Sequence, residues 1–176
     1  NADLANSLGN LLNRTLNMAQ QYRQGNLKRP SDPNGLAFTN TPAEFESAAA
    51  FFETVLFGYS GSFDVFDIDA SLDDAVMGAV SCNGFIESEK PWMVAKDPTK
   101  GGRLDEILYT LCESLRIIAI LSSPVIPRAA HGIFDQLNWK MELSGKEERF
   151  SLADVEWGRL PDGHVVGKPV PLFPRI

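Results

Sequence analysis

Histidine and cysteine are scarce in this chain, two of each in 176 residues. His131 and His164 are too few for most metal or general-base sites, and neither lies in a cluster of metal-ligand types. Cys82 and Cys112 are far apart with no C-x-x-C spacing. They read as reduced, buried, small apolar residues of a cytosolic protein. The phosphate loop G-x-x-x-x-G-K-[ST], the G-x-G-x-x-G fingerprint, H-E-x-x-H and G-x-S-x-G are all missing. The acidic residues of 64–74 lack the glycine and terminal glutamate of an EF-hand loop. No apolar run reaches membrane-spanning length and no secretory leader is visible. The chain has no initiator Met and opens directly on a helical pattern, which fits a piece of a longer protein. By elimination it is a binding module.

What is present describes one domain, or one domain plus a tail, long enough to bury its own core. Hydrophobic residues make up 44% and charged residues 22%, ordinary globular values. The net charge of −7 stands against a nucleic-acid partner. Its distribution softens that objection. Residues 1–29 hold Arg14, Arg23, Lys28 and Arg29 against Asp3 alone, and residues 90–103 hold Lys90, Lys96, Lys100 and Arg103 against Asp97. Residues 44–74 carry eight acidic residues and no Lys or Arg. On composition alone, a basic face on an acidic protein and solvated helix faces of either sign are both open.

Periodicity predicts a first helix over 1–23. Leu4, Leu8, Leu11, Thr15, Met18 and Tyr22 share one face, and Asn6, Asn10, Asn13, Asn17, Gln20 and Gln21 the other, with Arg14 at the edge. Solubility alone would use Glu and Lys, which are better helix formers than Asn. Amides suit base edges, or they bridge to neighbouring elements; both readings stand. After a Gly/Pro/Asn-rich loop over 24–42, a second helix is predicted over 42–66, with Thr41, Pro42 and Glu44 as a capping box and Gly58 and Gly61 as points of interruption. A third is predicted over 70–88, with Ser71, Asp73 and Asp74 in its first turn. The run 103–122 is apolar enough to lie at a bundle centre, and Pro127 starts another helix to about Leu137. A short helix is expected over 151–157, followed by a proline-punctuated extended tail. The fold class is therefore all-α, an antiparallel bundle of about five helices with an extended C-terminal tail.

The stretch Asn83 to Lys96, NGFIESEKPWMVAK, organises the rest. Pro91 fixes its own φ and pushes Lys90 out of helical conformation, so the helix must stop before it. Trp92 then stands just past the break. Beside Lys96 it offers a flat face to an unstacked base, or it plugs the end of the bundle.

Three stretches, NADLANSLGNLLNRTLNM, CNGFIESEKPWMVAKDP and KPVPLFPRI, together resemble the C-terminal anticodon-binding domain of methionyl-tRNA synthetase, a class I aminoacyl-tRNA synthetase. The resemblance implies that Asn10 and Arg14 approach the anticodon bases, that Trp92, oriented by Pro91, stacks on one of them, and that Asn83 and Glu87 belong to the same site, Glu87 repelling wrong anticodons. Lys28, Arg29 and Lys96 are candidates for phosphate contacts. The ligand implied is a tRNA anticodon stem-loop reading CAU; neither DNA nor a membrane is implied, and the location is cytoplasmic. The parent would be an ATP-dependent ligase using magnesium and, in some members, zinc. Its HIGH and KMSKS signatures, catalytic domain and cysteine-rich insertion are not in these 176 residues, so the chain alone should not charge tRNA. Residues 1–164 would form the helical domain, and 165–176 a tail that packs on the catalytic domain. Two alternatives are an anticodon-binding domain for another amino acid, and a helical protein-interaction module without RNA contact.

Overall fold

A computed structural model describes residues 2–38, 45–139 and 151–173, with the side chains of 2–5 excepted. Helices α1 (Ala2–Arg23), α2 (Ala48–Asp64), α3 (Ile68–Glu89), α4 (Pro91–Val94), α5 (Gly101–Ser122) and α6 (Pro127–Gln136) dominate. Two-residue strands β1 (Asn26–Leu27) and β2 (His164–Val165) pair antiparallel. Short 3-10 turns span Pro98–Lys100 and Leu152–Val155. The fold is all-α, as the periodicity requires.

Helix α5 is the axis. Every residue from Ile107 to Ser122 is buried, and α1, α2, α3 and α6 pack around it. A helix apolar on all sides is stable only when surrounded. Helices α2 and α3 run antiparallel, with Gly58 facing the Asp74 carboxylate and Gly78 facing Phe52. Helices α3 and α5 are antiparallel too, with Gly78 against Ile118 and Glu89 paired to Arg103. Helix α1 runs in the same sense as α3: Ser7 meets Asn83, and one helical stretch further on Arg14 meets Glu87. Edge-to-face contacts of Phe38 with Phe51, Phe52 and Phe85 (centroids 5.1–6.2 Å apart) close the α2–α3 side of the core.

Several local expectations shift. Helix α2 starts at Ala48, not Pro42: the N-cap is Ser47, whose side chain accepts from the Ala50 N–H. The Thr41–Glu44 capping box lies outside the described residues. Gly58 and Gly61 do not interrupt α2. Helix α3 begins two residues earlier than predicted because Asp67 caps it through the Ala70 N–H at 3.0 Å. Ser71 is thereby drawn into the helix and buried. Burial pushes the Cys82 thiol up to about 12 and raises that of Cys112 as well, so both are inert packing residues.

The segment after α6 is bound to α5 by a buried ion pair. Glu113 and Arg116 are fully enclosed, 2.5 Å apart. Glu113 also accepts the backbone N–H groups of Gly158, Arg159 and Leu160 at 2.9–3.1 Å. Arg116 donates to the carbonyls of Asp154 and Glu156 and lies 5.0 Å above the buried Trp139 ring. Replacing Glu113 with Ala leaves a buried guanidinium and three N–H groups without an acceptor. The expected loss is about 3–5 kcal/mol, read in urea as a lower midpoint with an unchanged m-value.

Candidate nucleic-acid interface

The polar face of α1 is a solvent-exposed stripe. Asn6, Asn10, Asn13, Asn17 and Gln21 are all exposed, while Leu8, Leu11, Leu12 and Leu16 on the other side are buried. Asn17 donates to the carbonyl and side-chain oxygens of Asn13, so those two amides brace each other. Asn10 lies between them and the helix start, one turn before Arg14, with no hydrogen-bond partner for its side chain among the described residues. Two borders flank the stripe. On one, Ser7 and Arg14 touch α3; on the other, Gly9 and Gln20 touch the C-terminal segment.

The α3 border contains most of the predicted residues. The Arg14 guanidinium donates to Glu87 at 2.6 Å, with the Glu87 side chain 65% exposed. Asn83 donates its amide to the Ser7 carbonyl at 3.0 Å and to the Ala79 carbonyl at 2.9 Å. Asn83 is therefore a clamp between helices, with its Oδ1 buried and without a partner among the described residues. Helix α3 ends three residues past Glu87's neighbour Ile86, where Lys90 takes a left-handed conformation (φ 47°, ψ 60°). Proline forbids the helical region to the residue before it and serves well as a first helical residue. Pro91 is accordingly buried as the first residue of α4, and Trp92 follows at 36% exposure. Of the three tryptophans, Trp139 is buried and Trp157 stacks on Phe52 at 5.9 Å. Among the described residues Trp92 enters no aromatic or cation–π pair.

The cations divide into two groups. Arg23 is tied to Asp105, Arg103 to Glu89 and Glu106, and Lys100 to Asp97. Hydrogen bonds from Thr99, more than the Lys100 charge, hold Asp97 below the usual carboxylate range. Lys28, Lys90 and Lys96 are exposed and have no ion-pair partner among the described residues. Lys96 rests 3.8 Å from the Met93 sulfur. Lys28 and Arg29 are not at the α1–α3 seam: they line a cleft of about 280 Å³ with Gly102, Asp105 and Glu106 of α5. The structure thus brings Arg14, Asn83 and Glu87 to one seam, with Asn10 on the stripe beside it and Pro91 and Trp92 following at the end of α3, and sets Lys28 and Arg29 apart.

A family described as the anticodon binding domain of methionyl tRNA ligase matches residues 37–176. The chain belongs to that family. A methionine–tRNA ligase of Caldanaerobacter subterraneus is 34% identical over 182 residues, covering the whole chain and 25% of the relative. One of Deinococcus radiodurans is 35% identical over 99% of the chain and 24% of the relative. Among solved structures, a methionyl-tRNA synthetase of Mycobacterium tuberculosis bound by methionyl-adenylate superposes with a TM-score of 0.75 at 29% identity, over 98% of this chain and 32% of that one. The chain spans about a quarter of the length of the curated relatives it matches.

Sequence reasoning missed the second border of the stripe. A cleft of about 370 Å³ lies between Asn6, Gly9, Asn10 and Asn13 of α1 and Pro171, Leu172 and Phe173 of the C-terminal segment. The one signal available was Gly9, a poor helix former on a face of amides. For the anticodon-binding domain family the seam makes a direct structural test. Asn83→Ala removes the α1–α3 clamp and is expected to cost about 1–2 kcal/mol in thermal or urea unfolding, with helix content unchanged by circular dichroism.

Proposed function

We propose that this domain grips the anticodon loop of a tRNA reading CAU, so that the longer protein can attach methionine to that tRNA at the expense of ATP. The observation that carries it is the Arg14–Glu87 contact, which joins the exposed amide stripe of α1 to the end of α3 that presents Trp92. Unpaired loop bases are read by stacking on an aromatic face and by hydrogen bonds to their edges. Trp92 offers the face, worth roughly 1–3 kcal/mol per base whatever the base. Asn10 and Arg14 offer edge contacts, worth about 1–3 kcal/mol for each good bidentate pair. Asn83 acts by holding α1 against α3, and Pro91 by fixing where Trp92 leaves the helix.

Arg14 is already engaged, and the engagement matters. An exposed pair of this kind contributes about 0–1 kcal/mol, so a base that hydrogen-bonds well to Arg14 can displace Glu87. A base that cannot meets a carboxylate at the site, and its own acceptors are repelled. Lys96, Lys28 and Arg29 supply phosphate contacts that set affinity and salt dependence. No helix among the described residues is long and apolar enough to cross a membrane. The second partner is the catalytic part of the longer protein in the cytoplasm, approached by the tail 165–176, where Val165 and Val170 are exposed. Among the described residues no three His, Cys, Asp or Glu side chains gather to hold a metal, so ATP, magnesium and any zinc would be held by the catalytic part of the longer protein.

A labelled CAU stem-loop titrated at two salt concentrations tests the reading. Binding should weaken as salt rises, by a log–log slope of about −0.7 for each phosphate neutralised. Trp92→Ala should lose about 10- to 100-fold against every loop, whereas Arg14→Ala should lose preference for CAU over other anticodons. Equal affinity of the unaltered chain for all anticodons would refute the reading. Glu87→Gln releases Arg14 without its competitor, so it should tighten binding to all loops and narrow the CAU preference, seen in the same titration with non-cognate loops.

A further inference from the structure

The C-terminal segment is built against the amide stripe with more structure than an extended tail requires. The Gln20 side chain donates to the carbonyls of Val166 and Gly167 at 2.8 and 2.9 Å. Gln136 accepts the Gly167 N–H on its backbone and the Val170 N–H on its side chain, both at 2.7 Å. Two glycines then seat the next two side chains. A methyl on Gly132 would stand 2.9 Å from Leu172, and one on Gly9 would stand 3.3 Å from the Phe173 ring. Phe173 therefore rests against α1 where a helix has no side chain, 37% exposed, at the rim of the cleft floored by Asn6, Gly9, Asn10 and Asn13.

From this juxtaposition we infer that Phe173 is a second aromatic platform of the RNA site, and that the cleft between it and the α1 amides takes one unpaired nucleobase. The inference rests on the anticodon-loop reading above. The chemistry is specific to a flat polar ligand. An aromatic ring takes the face of a base, and carboxamides placed along its edge offer both donors and acceptors. A lipid chain or an apolar peptide would leave the Asn6 and Asn10 amides facing it without a partner. Asn10 lines this cleft one turn along α1 from Arg14, and Trp92 follows α3, which flanks the opposite border of the stripe, so the base held by Phe173 is a different nucleotide from the one on Trp92. Two neighbouring bases of one loop are then splayed to either side of α1.

The test uses the whole 176-residue chain and CAU stem-loops in which each loop nucleotide in turn is replaced by an abasic residue. Phe173→Ala should weaken the intact loop about 5- to 50-fold. Against one abasic position the unaltered chain and the variant should bind alike, and that position should differ from the one that cancels the effect of Trp92→Ala. Phe173→Trp should restore binding. Gly9→Leu, whose side chain fills the seat of the ring, should reproduce the loss with the same abasic position silent. If Phe173→Ala binds within twofold of the unaltered chain while Trp92→Ala loses its affinity, the second platform is wrong and the anticodon reading survives. If it weakens every abasic loop equally, Phe173 only holds the fold, and the inference also falls. If neither variant changes binding, the anticodon reading itself has failed. Thermal unfolding of each variant separates lost contact from lost fold.

Discussion

The Glu113–Arg116 pair is the constraint from which the C-terminal third of the described structure hangs. Two charges in the buried stretch of α5 are costly to bury, and the cost is offset only if their hydrogen-bonding positions find partners. Here the partners are backbone groups of residues 154–160, which cross α5 as a loop and would otherwise have unpaired N–H groups in the core. Each side needs the other. Tyr109 reinforces the loop by donating to the Leu160 carbonyl at 2.7 Å. Once Leu160 is placed, the chain can only continue past β1, where β2 pairs with it, and along α1 and α6 to Phe173. The wall of the amide cleft is thus positioned by an ion pair on a different helix.

The other border of the stripe is held by lighter means. Asn83 bridges α3 to the Ser7 carbonyl, and an exposed Arg14–Glu87 pair lies one step further along the same seam. The clamp is partly buried and directional, which makes it structural. The pair is exposed and readily screened, which makes it exchangeable. Residues of similar polarity in one seam thus differ in how they hold it: Asn83 keeps the helices together, and Arg14 would be free to change partner in the function proposed above. Trp92 depends on neither. It stands clear because Pro91 disfavours the helical region for Lys90, which takes a left-handed conformation and so ends α3 and starts α4 within a single residue.

Much of this was legible in the residues. The alternation of leucines and amides in α1, the all-round apolarity of α5 and the Pro91 break each follow from a local rule with one outcome, and each was found where expected. Boundaries were less legible because several capping residues compete. Asp67 and Ser71 are both good caps, and Asp67 prevails by closing on Ala70 while Ser71 is absorbed by the core. The two-residue strand pair was invisible, since Asn26–Leu27 has no pattern of its own and exists only because β2 comes to lie beside it. Asn83 was assigned to the ligand by resemblance; the structure adds that its Nδ2 donates to Ser7, a partner 76 positions away that no spacing rule reveals.

Sequence by itself determined the helical class, the amide face and the break at Pro91, because periodicity, proline stereochemistry and side-chain chemistry act over a few residues. Tertiary structure alone decided that Arg14 is held by Glu87, that Lys28 and Arg29 lie away from the seam, and that Phe173 comes to rest against Gly9. Those outcomes depend on which distant segments α5 brings together, and that is settled by the packing of the core rather than by any stretch of chain within it.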